Sequence, residues 1–145
     1  MRIKLSNELC MPTRAHPTDA GLDLKSVMDA QIGPGKQLLV DTGVSVAISP
    51  GFVGLVFSRS GQGNIGVRLA NSVGVIDADY RGNIKVALRN DSETNWYIIE
   101  KYKTKIAQLV IVPIWNHNLV LWDGTDEEWT NSTIRGTNGF GSTGG

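Results

Sequence analysis

The run Gly74–Leu88, GVIDADYRGNIKVAL, sets two acids, Asp77 and Asp79, beside Tyr80 and then Gly82. An aspartate in such a turn has two uses. Its carboxylate can orient and deprotonate a water for attack on phosphorus or a carbonyl carbon, or it can bond the amides of its own turn. Tyr80 is open in the same way, as an aromatic face for a small ligand or as a half-buried strand residue. The segment Phe57-Ser58-Arg59-Ser60-Gly61 runs an apolar strand into a guanidinium fork, a hydroxyl and a glycine that lets backbone amides come close. That set suits phosphate oxygens and equally a solvated loop. Asp23 lies between leucines in DAGLDL at 19–24, and strand alternation turns it from the apolar face. It either holds a metal-bound water or meets solvent. Gln108 is an amide inside the apolar run Ile106–Val110, aimed into a site or outward.

The C-terminal stretch RGTNGFGSTGG at 135–145 is glycine-rich and nearly devoid of apolar side chains. It reads as a flexible tail or as an arm that orders on a ligand. Arg135 and Ser142 are phosphate-type donors, and Phe140 is a stacking face for a base. A lone phenylalanine in such a tail favours the arm. The spacing G-x-G-x-x-G occurs at 61–66, but a strand-like run follows it where the dinucleotide fingerprint needs a helix, so that reading is rejected. His16 and His117 have no neighbour at metal-ligand spacing, and Asp123–Glu128 reads as a solvated acidic loop with Trp129 packing back on the body.

The elements that must position these residues are short strands. Arg2–Leu5, Gln37–Asp41, Val44–Ile48, Phe52–Phe57, Arg68–Val73, Ile84–Leu88, Trp96–Glu100, Ile106–Val112 and Leu119–Trp122 are rich in β-branched and aromatic residues. Gly-Pro-Gly at 33–35, Thr42-Gly43 and Pro50-Gly51 punctuate them. The run Gly74–Leu88 reads as two strands joined in a rigid hairpin, and a helical turn is expected after Arg59. Strands at this spacing predict an all-β sandwich or barrel. At 145 residues the chain fits one domain. Fourteen basic and fourteen acidic residues cancel, so no global field favours nucleic acid or a membrane surface, and phosphate recognition must be local. A single cysteine, Cys10, excludes an internal disulfide and a multi-cysteine zinc site. No apolar run reaches a membrane span and no signal peptide is evident, which predicts a cytoplasmic, soluble protein.

Five segments in order resemble the motifs of the trimeric deoxyuridine triphosphatase (dUTPase) family. They are DAGLDL at 19–24, SRSG at 58–61, GVIDADYRGNIKVAL at 74–88, KIAQLVIVP at 105–113 and RGTNGFGSTG at 135–144. The resemblance implies a jelly-roll-like distorted β-barrel over residues 1–134, an arm over 135–145 that orders across the active site, and a homotrimer with sites at subunit junctions. It implies hydrolysis of dUTP to dUMP and pyrophosphate with Mg2+, which lowers dUTP and supplies dUMP for dTTP synthesis.

By motif position Asp77 resembles the acid that activates water, and Tyr80 the ring under the deoxyribose that excludes a ribose hydroxyl. Asn71 resembles the amide that reads uracil, with backbone near Val75 and Ile76, and Lys85 lines the pocket. Arg59, Ser60, Gly61 and Gln108 resemble phosphate contacts, and Asp23 resembles the acid that reaches magnesium through water. In the arm, Phe140 resembles the ring that covers uracil, while Arg135, Gly141, Ser142 and Thr143 resemble γ-phosphate contacts from a neighbouring subunit.

The chain departs from the pattern at four places. Ser58 replaces a usual Pro, which predicts a less rigid approach to the loop. Asn83 replaces a frequent Glu, Lys103-Thr104-Lys105 replaces Gly-Asp-Arg, and Asn138 replaces a Gly. Two rival readings are a deoxycytidine triphosphate deaminase and a non-enzymatic binding protein of the same fold. The first needs a glutamate in the pocket, and Glu93, Glu100, Glu127 and Glu128 all lie outside the motifs.

Overall fold

The computed structural model describes residues 1–137. The chain divides into two compact units, Met1–Trp115 and a second that starts at Asn116. The first unit holds eleven strands: β1 (Arg2–Leu5), β2 (Leu22–Lys25), β3 (Ala30–Ile32), β4 (Gln37–Asp41), β5 (Val44–Ala47), β6 (Phe52–Phe57), β7 (Val67–Leu69), β8 (Gly74–Ile76), β9 (Lys85–Asn90), β10 (Tyr97–Ile99) and β11 (Lys105–Pro113). A single helical turn, α1 (Ser60–Gly63), follows Arg59 as expected. Among the described residues no helix is long and apolar enough to cross a membrane.

All pairings are antiparallel. The sheets run in the orders β2-β11-β6-β8 and β4-β9-β7, with the pairs β1-β5 and β3-β10 beside them. Alternation decides what goes inside. In β9, Val86, Leu88 and Asn90 are buried while Lys85 is exposed. Leu24, Val56, Ile106 and Leu109 meet Val40, Val67, Leu69, Val86 and Leu88 in one buried cluster that also takes in Val44, Val46, Ile32 and Ile99. The body is therefore all-β, as the strand pattern predicts, and takes the jelly-roll-like form that the resemblance implies.

The strand expected over 68–73 ends early, as β7 at Leu69, and β8 starts only at Gly74. Asn71-Ser72 interrupts it: Ser72 sits at φ 64°, and the Val73 amide donates to the Asn71 carbonyl at 2.7 Å. β7 then pairs with β9, whereas β8 pairs with β6. The expected hairpin over Gly74–Leu88 does not form either, because β8 and β9 belong to different sheets. Residues 77–84 are a crossing between sheets. Ile84, fully buried, anchors the far end: its amide donates to the Val44 carbonyl, and its carbonyl accepts from the Thr42 amide and hydroxyl.

In the second unit Leu119–Trp122 is not a strand. Its apolar residues suit a strand, but among the described residues it has no strand to pair with, and Leu119, Val120 and Leu121 are at least 90% exposed. The acidic run after Asp123 is not a loop throughout. It forms α2 (Asp126–Asn131), started by a capping box in which the Thr125 hydroxyl accepts from the Glu128 amide and Glu128 accepts from the Thr125 amide. The Trp129 ring meets Trp122 edge-on, at 5.3 Å between centroids, within the same unit.

The β4–β5 turn is the tightest point beneath the core. Gly43 has φ 67°, and a Cβ there would stand 2.2 Å from Ser6 Oγ and 2.7 Å from Cys10 Sγ. Gly43→Ala combines left-handed strain with overpacking and is expected to lower stability by about 3 kcal/mol or more, read from urea denaturation. A loss under about 1 kcal/mol would show that the turn relaxes at little cost.

Candidate functional site

Asp23, Arg59, Ser60 and Gln108 come together around a cleft of about 360 Å³, with Ala15, Asp19, Ala20 and Gly21. Strand pairing puts them there. Gln108 of β11 lies opposite Asp23 of β2 on one side and Phe57 of β6 on the other, so the loop that leaves β6 starts beside both. Asp23 is nearly buried and sits between two cations: its Oδ1 accepts from Arg59 Nε at 2.7 Å and its Oδ2 from Lys105 Nζ at 2.8 Å. Both cations are about a third exposed, so each pair contributes at most about 1 kcal/mol. The consequence is orientation. Arg59 is held through Nε, and its two terminal nitrogens bond to nothing else among the described residues. Gln108 donates to the Ser58 carbonyl at 3.0 Å, and Gly21 leaves room for its amide, since a Cβ there would lie 2.3 Å from Gln108 Oε1.

A second hollow of about 180 Å³ is lined by Val75, Ile76, Asp77, Tyr80, Ile84 and Lys85. It shares no lining residue with the first. Asp77 is exposed, and its carboxylate accepts no hydrogen bond among the described residues, whereas its carbonyl accepts from the Tyr80 amide. Aspartate bonding its own turn amides is thus not the use made of this side chain. The Tyr80 hydroxyl donates to the Asn83 carbonyl at 2.9 Å. Asn71 stands at the turn before β8, its Nδ2 donating to the Val73 carbonyl at 3.3 Å. Gly61 has open space around it.

Of the remaining candidates, Arg135 lies in the second unit and is exposed. Phe140, Gly141, Ser142, Thr143 and Asn138 lie outside the described residues. Neither hollow is lined by Glu93, Glu100, Glu127 or Glu128. Glu100 pairs with Lys103, and Glu128 is spent on the α2 cap.

Three departures have visible consequences. Ser58 does not loosen the approach to the loop, because its hydroxyl accepts from the Leu69 amide at 2.9 Å and ties β6 to β7. Thr104 takes the Glu100 amide on its hydroxyl at 2.8 Å and closes the turn into β11, while Lys105 keeps an acid–base contact with Asp23. Asn83 bonds Ser45 and Asp41.

The fold and the residues it gathers define a jelly-roll-like β protein with a polar cleft that holds a guanidinium between carboxylates and a separate hollow that holds an acid, a tyrosine and a lysine. Residues 7–144 match the dUTPase family. A deoxyuridine 5'-triphosphate nucleotidohydrolase of Mycolicibacterium gilvum is 43% identical over 144 residues, 99% of this chain and 93% of that protein. The corresponding protein of Mycobacterium tuberculosis is 44% identical over the same length. Among solved structures, the Staphylococcus bacteriophage 80alpha dUTPase with dUpNHpp superposes with TM-score 0.82 at 31% identity, over 99% of this chain and 98% of that one. A dUTPase variant from phage phi11 of S. aureus, whose structure reveals coordination of a structural Mg(II) ion, has TM-score 0.77 at 30% identity, over 86% of this chain and 97% of that one. This chain belongs to the dUTPase family.

The residue that sequence reasoning missed is Gln62. It is 4% exposed, and its amide is fully engaged: Oε1 accepts from the Arg59 amide, and Nε2 donates to the Ile106 carbonyl and the Tyr97 hydroxyl. No local pattern marks it, because the loop around it is polar. It locks the Arg59–Gly63 loop onto β11 and β10. Gln62→Ala strands those partners, so a stability loss of about 2 kcal/mol is expected. Hydrogen exchange should show the Arg59 amide losing protection in the same variant. Unchanged protection there would mean that the loop is held by something else.

Proposed function

We propose that the chain hydrolyses dUTP to dUMP and pyrophosphate as a homotrimer, with each active site assembled where subunits meet. The observation that carries this reading is the division of the candidate residues between two hollows with no residue in common. One is a phosphate cradle of Arg59, Ser60 and Gln108, with the amide of Gly61 close by. The other offers an acid, a ring and backbone edges. A nucleoside triphosphate needs both, so the cleft of one subunit faces the 77–85 segment of its neighbour. Residues 1–134 form the body. The arm over 135–145 supplies the third part from another subunit, with Phe140 over uracil and Arg135, Gly141, Ser142 and Thr143 on the γ-phosphate.

In this site Asp77 takes a proton from water as the water oxygen bonds to the α-phosphorus. The bond from that phosphorus to the bridging oxygen breaks, and pyrophosphate leaves. Arg59, Ser60, Gly61 and Gln108 stabilise the charge on the phosphate oxygens. Gln108 has a second amide hydrogen left for this after its bond to Ser58. Asn71, with the backbone of Val75 and Ile76, reads the uracil edge and leaves no space for a thymine methyl. Tyr80 lies under the deoxyribose, and Lys85 lines the pocket wall.

The residues fit a magnesium ion carried by the substrate. Among the described residues no group of three or more acids, histidines or cysteines could cage a metal. Magnesium keeps most of its water and sits well on phosphates. Asp23, with both oxygens already taking one hydrogen bond each, still has lone pairs for a metal-bound water. When bound, the ion neutralises phosphate charge. The work of such an enzyme lies inside the cell, in keeping dUTP low and supplying dUMP for dTTP synthesis.

The deciding experiment offers dUTP, dCTP, dTTP and UTP with magnesium and measures pyrophosphate and ammonia. Pyrophosphate from dUTP alone is expected. Ammonia from dCTP would move the chain to the deaminase reading, and neither product would make it a binding protein. Asp77→Asn should keep its fold and its affinity for dUTP while turnover falls by about 100-fold or more. Removal of 135–145 should leave a trimer by light scattering with strongly impaired turnover, and full activity of that truncation would exclude the arm from the site.

A further inference from the structure

The geometry points to Asn83 as the positioning residue that sets the Tyr80 ring, and through it the discrimination between deoxyribose and ribose. The inference rests on the function proposed above and adds a residue to it. Tyr80 is held at two places. Its hydroxyl donates to the Asn83 carbonyl at 2.9 Å. Its ring also lies against Gly82, where a Cβ would stand 2.7 Å from Cζ and 2.4 Å from the hydroxyl oxygen. The carbonyl that receives the hydroxyl is only as fixed as residue 83 itself.

The Asn83 side chain does that fixing. Its Oδ1 accepts from Ser45 Oγ at 2.8 Å, and its Nδ2 donates to Asp41 Oδ2 at 3.3 Å. Ser45 lies in β5 and is buried, and Asp41 ends β4 with its other oxygen accepting from the Gly43 amide. Asn83 thus rivets the exposed turn to two strands of the body, one residue before the buried Ile84. On the other flank Arg81 Nη1 donates to the carbonyls of Ala78 and Tyr80, which closes the turn upon itself and gives it no tie to the strands.

An amide is the group this place needs, because it accepts from a hydroxyl and donates to a carboxylate at once. A carboxylate of the same length would face Asp41 with like charge. Tyr80 is 41% exposed, so packing alone does not hold its ring. A ring that excludes a 2′-hydroxyl must not yield by even a fraction of an ångström.

The test compares kcat/KM for dUTP and UTP in the full-length parent, Asn83→Ala, Tyr80→Phe and the double variant. Asn83→Ala keeps the backbone carbonyl but frees it, and the preference for dUTP should fall by about fivefold, the worth of one hydrogen bond. The double variant should discriminate no worse than Tyr80→Phe, because both changes cut the same link. An unchanged ratio in folded Asn83→Ala, or losses that add in the double variant, would overturn the assignment. Ser45→Ala removes the outer partner only. It should lower the ratio in the same direction, and if Asn83→Ala fails to fold, an unchanged ratio in Ser45→Ala overturns the assignment on its own. A readout without turnover separates this from the function itself. The Tyr80 ring resonances should shift and broaden in ligand-free Asn83→Ala. If they stay as in the parent, the lock is wrong even where dUTP is hydrolysed. If the parent hydrolyses no dUTP, the proposed function falls while the ring signal still decides the lock.

Discussion

Strand β8 is three residues long and pairs only with β6, while the strands before and after it pair with each other in a different sheet. The chain therefore has to cross between sheets twice within about twenty residues, at Asn71-Ser72 and again over 77–84. A crossing segment has no ladder to satisfy its backbone, yet buried and half-buried polar groups must be paired. Here the pairing is done by the Asn71 turn at one end and by Asn83, Ile84 and Thr42 at the other. Among the described residues, the Asp77 and Asp79 carboxylates of this segment are exposed and accept no hydrogen bond. The constraint that β8 serves one sheet while its flanks serve another thus puts an acid, a ring and an amide on exposed backbone that is anchored at both ends.

The cleft obeys a different rule. The whole chain is neutral, so any field at the cleft is built locally. Asp23 takes one hydrogen bond from Arg59 and another from Lys105, and with Asp19 also on the cleft wall these charges balance. Part-exposed pairs of this kind do little for stability. They hold a guanidinium by one nitrogen and leave its planar fork free. Below them the buried Gln62 amide joins the loop to β10 and β11, so the orientation is inherited from the core and not from the loop's own sequence.

The departures from the family pattern illustrate how much freedom such a scaffold leaves. A proline stiffens a chain through its ring. Ser58 reaches a comparable end with a hydroxyl bonded across to β7. Lys105 offers a point charge where a guanidinium is usual, and a single carboxylate oxygen suffices for it. At each of these positions the residue present makes a definite contact of its own.

The order of the motifs, the residue types at 19–24, 58–61, 74–88 and 105–113, and most of the strands were legible in the chain itself. The reason is local: alternation of apolar and polar residues states which face is buried, and glycine and asparagine state where the chain turns. The Thr125–Glu128 capping box was equally local, and it is the signal that reveals α2. Partner choice was not legible. Gly74–Leu88 has every local mark of a hairpin, and Leu119–Trp122 every local mark of a strand, but a strand exists only through a neighbour, and neighbours are selected by the packing of whole sheets. For the same reason Gln62 looks like any loop glutamine until the core closes over it, and Asn83 looks like a turn residue until β4 and β5 arrive beneath it. The amino-acid sequence determined the chemistry available at each position. The tertiary structure decided which groups meet, because hydrogen bonds and burial depend on distances in space that a linear pattern does not contain.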